Sequence, residues 1–392
     1  HIILPGISPA LSINLIFACS GLIYGGFDQV FNMYNSAVYP KGDILETYLY
    51  REGIGNGKYS LSTALGLFNS SVALILMLVA NKIVKKNRRD QLMVNSENTG
   101  ARLKKWFGRN FGNNAGDRTF HVLNTLIFLA VGFIALYPFL YVFVKSLQAY
   151  DVSEGVQRIT YSFSAYKNIF ADDGLIKTFL LSVAVVLAGT LCNVAVTYAC
   201  AYALSKKYLK GRTLLLIFVL IPMLFSGGLM PTYILIRQLN LKNNPLVYIL
   251  PSLCSSFNVI IVKNFLHSVP ESMEEAAMLD GASHFKIMTK IYLPLSAPIL
   301  ATIALWVAVG KWNDWMTGLL YVDEKSLYIM QNYLRTVLIS SYSAETNNPD
   351  ILNKGESIVM ASIVVGTLPV IASFPFVQKY FIKGMILGSV KE

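Results

Sequence analysis

Charge is what this sequence has least of. Only 14% of its 392 residues are Asp, Glu, Lys or Arg, against about 25% in soluble globular domains. That shortage excludes an ordinary water-facing surface. Cysteine is scarce too. Cys19, Cys192, Cys200 and Cys254 all fall in apolar runs without metal-type spacing. They read as small buried hydrophobes, not as a disulfide framework or a zinc site. The histidines, His1, His121, His267 and His284, sit in loops or at the borders of apolar runs, and no pair has ligand spacing. Lys58 and Lys311 each follow a glycine, but Tyr59 and Trp312 come next, which excludes a phosphate-cradling loop. No catalytic constellation remains, so the chain is not expected to be an enzyme.

What is abundant is apolar surface: 54% of residues are hydrophobic and the mean hydropathy is +0.50. A helix needs about 20 apolar residues to cross about 30 Å of hydrocarbon. Candidate runs lie at about 7–25, 61–80, 120–144, 177–204, 213–236, 246–266, 295–311 and 357–378. The expected class is therefore all-α, a polytopic membrane protein with about eight transmembrane helices. The interiors of these runs are expected to be free of Asp, Glu, Lys and Arg. Ion-coupled carriers place such groups within the membrane, so energy should enter this chain from outside the bilayer. The net charge of +11 is concentrated beside the runs, at Lys82-Lys85-Lys86-Arg88-Arg89, Arg102-Lys104-Lys105-Arg109 and Lys206-Lys207-Lys210-Arg212. That placement is the positive-inside signature of cytoplasmic loops. It accounts for the charge without a nucleic-acid partner.

One polar stretch is caught between two of the runs: Glu274-Glu275-Ala276-Ala277-Met278-Leu279-Asp280-Gly281-Ala282, continuing to Ile291-Tyr292-Leu293-Pro294. Pro270 and Glu271 open a helix there, with carboxylates in the first turn suiting the positive end of the helix dipole. Gly281 supplies the backbone angles of a sharp turn. Phe285, Met288 and Ile291-Tyr292 then recur at helical spacing, predicting a second short amphipathic helix. Asp280 is available to cap it.

The pattern Glu275-Ala276-Ala277, Gly281, Ile291, Leu293-Pro294, with its Gly-to-Ile gap, resembles the EAA loop of ABC-importer permeases. The surrounding text is similar to the polysaccharide and oligosaccharide branch of that family: Phe225-Ser226-Gly227-Gly228-Leu229-Met230-Pro231-Thr232-Tyr233, Lys263-Asn264-Phe265, Trp312-Asn313-Asp314-Trp315 and Lys383-Gly384-Met385. The resemblance covers about residues 117–392. It implies a type I importer permease fold in the bacterial cell membrane, with the loop inserted into a groove on a cytoplasmic ATPase subunit. It further implies two ATPase subunits that bind ATP-Mg, a second permease domain, an external solute-binding protein or lipoprotein, and a carbohydrate substrate. This chain itself is expected to bind no cofactor. The residues implied in ATPase coupling are Glu274, Glu275, Ala276, Ala277, Asp280, Gly281, Ile291, Leu293 and Pro294. Glu275 is preferred for a charge contact, with Glu274 second.

The start of the chain echoes this stretch. Ile2-Ile3-Leu4-Pro5-Gly6-Ile7-Ser8-Pro9 parallels Ile291-Tyr292-Leu293-Pro294-Leu295-Ser296-Ala297-Pro298, and each copy is followed by two spans and a basic tail. The expected domains are 1–86 as the last two spans of a first permease, 87–117 as a basic cytoplasmic linker, and 118–392 as a complete six-span permease. An even number of spans separates the two Leu-Pro marks, so the repeat is expected to be parallel. Residues 146–175 and 313–356 should lie outside, and 205–212, 267–294 and the C-terminus in the cytoplasm. Polar and aromatic residues within spans, namely Asn193, Tyr198, Tyr202, Asn258, Trp306 and Trp312, are pathway candidates. Aromatic faces suit the C–H surfaces of sugars and amides suit their hydroxyls; interhelical packing explains each of them as well. A secondary carrier with parallel repeats and a non-transporting scaffold are the alternatives from other classes.

Overall fold

The computed structural model describes residues 26–33, 38–95, 115–153, 156–343 and 356–373. Along the chain come α1 (Phe27–Met33), α2 (Tyr39–Gly42), α3 (Leu45–Tyr50), a π turn (Arg51–Gly55), α4 (Tyr59–Asn95) and α5 (Ala115–Ser146). A hairpin of β1 (Gln148–Ser153) and β2 (Val156–Tyr161) follows, then α6 (Ser164–Phe170), α7 (Asp173–Ser205), α8 (Arg212–Leu224) and α9 (Leu229–Gln238). Two 3-10 turns (Pro245–Tyr248 and Leu250–Ser252) lead into α10 (Ser256–Leu266). The chain continues through α11 (Glu271–Leu279), α12 (His284–Ile287), a π turn (Met288–Tyr292), α13 (Ala297–Trp312), α14 (Met316–Tyr321) and α15 (Met330–Ser343). It closes with α16 (Glu356–Ser373). The architecture is helical, as its apolar periodicity demands, and the antiparallel hairpin pairs Gln148 with Tyr161 through Ser153 with Val156.

Four helices are long and apolar enough to cross a membrane: Tyr59–Val79, Val122–Ser146, Asp173–Ser205 and Glu356–Ser373. Three further runs are each a bent pair of helices, which brings the number to as many as seven among the described residues. The run at 7–25 lies outside them. Two of the three breaks have a cause that is visible locally. Between α8 and α9 the bend is 114°, after Pro222 and at Gly228, whose φ of +91° is open to glycine. Between the 3-10 turns and α10 the bend is 49°. Before α13 it is 77°. There the π turn 288–292 runs straight into Pro294, which cannot donate to the carbonyl one turn back.

Contacts divide the chain into two units, 1–130 with 221–235, and 131–220 with 236–392. In the first, Phe27 stacks on Phe31 at 4.9 Å. Arg51 pairs with Asp43 at 2.5 Å, and burial of Gly53 brings its backbone against Met230 and Ser62. In α4 the helix runs through the basic residues to Asn95, beyond the expected start of the linker at 87. Lys, Arg, Gln, Leu and Met there are all good helix formers.

Among the described residues of the second unit, two apolar clusters form cores. One gathers Tyr198, Ala201, Tyr202, Val259, Val262, Leu266, Ile287, Tyr292, Leu300 and Ile303 between α7, α10 and α13. The other gathers Ala165, Ile169, Leu175, Trp312, Met330, Leu334, Ala361 and Val365.

Two expectations about the spans need correction. Cys192 and Cys254 are exposed on the chain, not buried, so they face outward from the helical core. Charge is also not absent from the spans. Lys263 lies inside α10, and Lys311 in the last turn of α13 is only 7% exposed. The Lys311 ammonium turns inward because the broken run at 245–252 leaves acceptors there: Nζ donates to Tyr248 O at 2.8 Å and to Ser252 Oγ at 2.9 Å. Asn193 Nδ2 donates to Ser252 O at 2.7 Å. Two side chains from neighbouring spans thus satisfy carbonyl and hydroxyl groups that hydrocarbon cannot. The lysine stem fits because α7 carries Gly189 opposite; a Cβ there would lie 2.4 Å from Lys311 Cε. Gly189→Leu is therefore expected to expel Lys311 and destabilise the unit by about 2 kcal/mol. A lower thermal midpoint in detergent checks this.

Candidate coupling site

The polar stretch folds as two short helices joined by a tight turn. α11 closes in a Schellman arrangement, in which Ala282 N donates to Ala277 O at 2.9 Å and Gly281 N to Met278 O at 3.0 Å. Gly281 holds the left-handed position at φ +75°. Ser283, not Asp280, caps α12, its Oγ accepting from Lys286 N. Asp280 is instead the C-cap of α11 and is exposed. An N-cap needs extended backbone, and Ser283 at ψ 157° has it, whereas Asp280 at ψ 8° does not.

The helix pair presents two faces. Glu275 and Ala276 point outward, together with Leu279 at 89% exposure and Phe285 at 70%. Ala277 and Ile291 are half-buried and pack against the core of α7, α10 and α13. Leu293 and Pro294 are exposed where the chain turns toward α13. Glu274 turns the other way and is buried. Its Oε2 lies 2.5 Å from Lys206 Nζ and accepts from Tyr292 OH at 2.8 Å. Its Oε1 accepts from Tyr208 OH at 3.4 Å. The Lys206 ammonium sits 4.3 Å from the Tyr202 ring centroid and 3.8 Å from that of Tyr292.

A second pair, Glu271 with Lys207 at 2.7 Å, stands in solvent. Lys207 beside it holds the Glu271 carboxyl below its ordinary range. Burial, and then the Glu274 charge, push the Tyr208 phenol up. A cavity of about 200 Å³ opens between these pairs, with Glu275, Met278 and His267 on its walls.

Of the six pathway candidates, Tyr198 and Tyr202 adjoin each other, with ring centroids 6.4 Å apart. Four of the six hydrogen-bond to backbone carbonyls of neighbouring elements: Asn193 to Ser252, Tyr198 to Met288 at 2.6 Å, Tyr202 to His284 at 3.4 Å, and Trp312 Nε1 to Gly366 at 2.9 Å. Asn258 is buried in α10. Trp306 is 43% exposed and stacks on Phe257 at 6.2 Å. Sequence reasoning passed over Lys206, Tyr208, Tyr292, Ser283 and the inward Lys311. The one available signal for Lys206 was its place at the end of a long apolar run, where it counted only as an orientation charge.

Comparison with known proteins bears on this geometry. Residues 208–387 match the family described as binding-protein-dependent transport system inner membrane component. Over 288 residues the chain is 39% identical to protein LplC of Bacillus subtilis, spanning 71% of this chain and 97% of that protein. The chain belongs to the ABC-transport permeases. A second relative in this permease family is the polygalacturonan/rhamnogalacturonan transport system permease protein YtcP of Bacillus subtilis, 38% identical over 285 residues, 70% of this chain and 99% of that one. Among solved structures, a bacterial ABC transporter involved in the import of the acidic polysaccharide alginate superimposes with a TM-score of 0.62 at 28% identity, covering 69% of this chain and 99% of that one. The protein is thus a multi-pass permease component of a carbohydrate ABC importer, and such permease subunits are not themselves enzymes. Membership in the family argues against the secondary-carrier and scaffold alternatives.

Proposed function

We propose that this permease moves a polysaccharide-derived oligosaccharide across the bacterial cell membrane, driven by two ATPase subunits, one of which docks on residues 271–294. The observation that carries this reading is the outward face of the two short helices. Glu275, Ala276, Leu279 and Phe285 are exposed around the Gly281 turn, on a segment where a polar surface is otherwise expected. Such an apolar patch rimmed by charge suits burial against a protein partner. ATP-Mg is held and hydrolysed in the partner. A second permease domain completes the pathway, and an external binding protein or lipoprotein delivers the sugar. The basic loop Lys206–Arg212 supports placing this face, and the C-terminus, in the cytoplasm. The names of the relatives that handle polygalacturonan and alginate favour a polysaccharide fragment as the cargo. The test is uptake of oligogalacturonides and neutral oligosaccharides by vesicles containing the assembled transporter. Accumulation is expected to require internal ATP and to survive a protonophore; uptake that collapses with the ion gradient refutes the reading.

A further inference from the structure

The Lys206–Glu274 pair ties three elements together on one carboxylate. Lys206 is the C-cap of α7, a 33-residue span. Glu274 sits in α11, and Tyr292 closes the π turn that leads toward α13. Both charged side chains are less than one-tenth exposed, at 8% and 9%. The neighbouring Lys207–Glu271 pair is 62% and 60% exposed. An exposed pair of that kind holds little, because water screens it and two long side chains must be ordered. The buried pair is different. Removing one partner strands a charge among Tyr202, Tyr292 and the apolar core, so opening it is disfavoured. The two rings also fix the ammonium laterally, so the link resists shear as well as separation.

We infer that Lys206, Glu274 and Tyr292 are positioning residues that make α11 and the cytoplasmic end of α7 move as one body, so that displacement of the docking helices reaches the span. This rests on the reading of α11 as an ATPase-docking helix. The outward face grips the partner, and the inward carboxylate passes the movement on. Glu274 therefore serves the span and Glu275 the partner, although the two are adjacent in sequence.

The test uses the complete transporter, with an intact partner permease, ATPase subunits and binding protein, in proteoliposomes. Two readouts are taken on Lys206→Met, Glu274→Gln and Lys206→Arg. The first is ATP hydrolysed per sugar imported. It is expected to rise about tenfold for Lys206→Met, the loss of a coupling energy of ordinary size, and to stay within about twofold for Lys206→Arg, whose guanidinium both pairs with a carboxylate and stacks on rings. The second is the distance distribution between spin labels at Ser272→Cys and Ala199→Cys, in a background without the native cysteines. It is expected to remain narrow through the nucleotide cycle in the parent and in Lys206→Arg, and to broaden in Lys206→Met. If Lys206→Met does not accumulate, Glu274→Gln, which keeps the shape and hydrogen bonds but removes the charge, is judged by the same two measures. A parental ATP-to-sugar ratio in both charge-removing variants overturns the proposal, whatever the distances. So does a narrow distribution in both. If the parent itself imports nothing with ATP, the functional reading fails, and the spin-label distances still decide whether the pair holds the two helices together.

Discussion

Gly281→Val is expected to abolish ATP-driven uptake while leaving membrane insertion intact. The residue sits at φ +75° at the hinge between α11 and α12. An L-residue in that region costs roughly 1–2 kcal/mol, and a β-branched one more. No atom lies within 4 Å of a Cβ built there, so the cost is backbone strain and not a clash. The chain relieves that strain by giving up the two hydrogen bonds of the turn, which lets Leu279 and Phe285 drift apart. Uptake should then not rise above the background of vesicles lacking ATP. Gly281→Asn is the control, since Asn tolerates the left-handed region, and it should retain most activity. Transport by the valine variant at the parental rate, in vesicles holding equal amounts of protein, would falsify the role assigned to this turn.

The second large effect is expected from the outward face. Leu279 and Phe285 are 89% and 70% exposed, so replacing both with Asp disturbs no packing within the chain. In a docked complex each would bury its side chain, a contribution of about 1.5–3 kcal/mol. Losing both should weaken ATPase association by about a hundredfold or more. Affinity purification of the permease checks this directly. The double variant should appear in membranes at parental levels and bring down little ATPase. Retention of the ATPase at the parental ratio would place the docking surface elsewhere. Glu275→Gln should show a smaller loss, because an exposed charge contact is worth about 1 kcal/mol or less.

The spans and the turn between α11 and α12 were legible for different reasons. Apolar runs of about 20 residues leave few alternatives to helices in a bilayer. Seven of the eight expected runs coincide with helices or bent pairs of helices, and the eighth lies outside the described residues. The Gly281 turn was legible because only glycine fits a left-handed C′ position well. Two of the breaks were written in Pro222, Gly228 and Pro294, yet their angles depend on packing that no local pattern encodes.

Three carboxylates within one turn of each other, Glu271, Glu274 and Glu275, look alike in sequence. Which one turns inward is decided by Lys206, 68 positions earlier. Lys311 was misjudged for a related reason. A lysine near a span end usually extends toward water, but here the acceptors of a broken neighbour pull it inward. Asp280 and Ser283 are separated by two residues, and the choice of cap rested on a ψ angle set by the turn itself.

That inward lysine sets an order of assembly. The carbonyl of Tyr248 and the hydroxyl of Ser252 receive their donor from Lys311, 63 and 59 positions further along the chain. Ser252 O draws on Asn193, 59 positions before it. During synthesis, α7 is already in the bilayer when the broken run emerges, so half of its partners are waiting. The other half arrive only with the end of α13. Until then the 3-10 turns carry polar groups that lipid cannot satisfy, and the run belongs at the insertion machinery or against water instead of in hydrocarbon. A chain stopped short of Lys311 therefore leaves the Tyr248 carbonyl and the Ser252 hydroxyl without that donor.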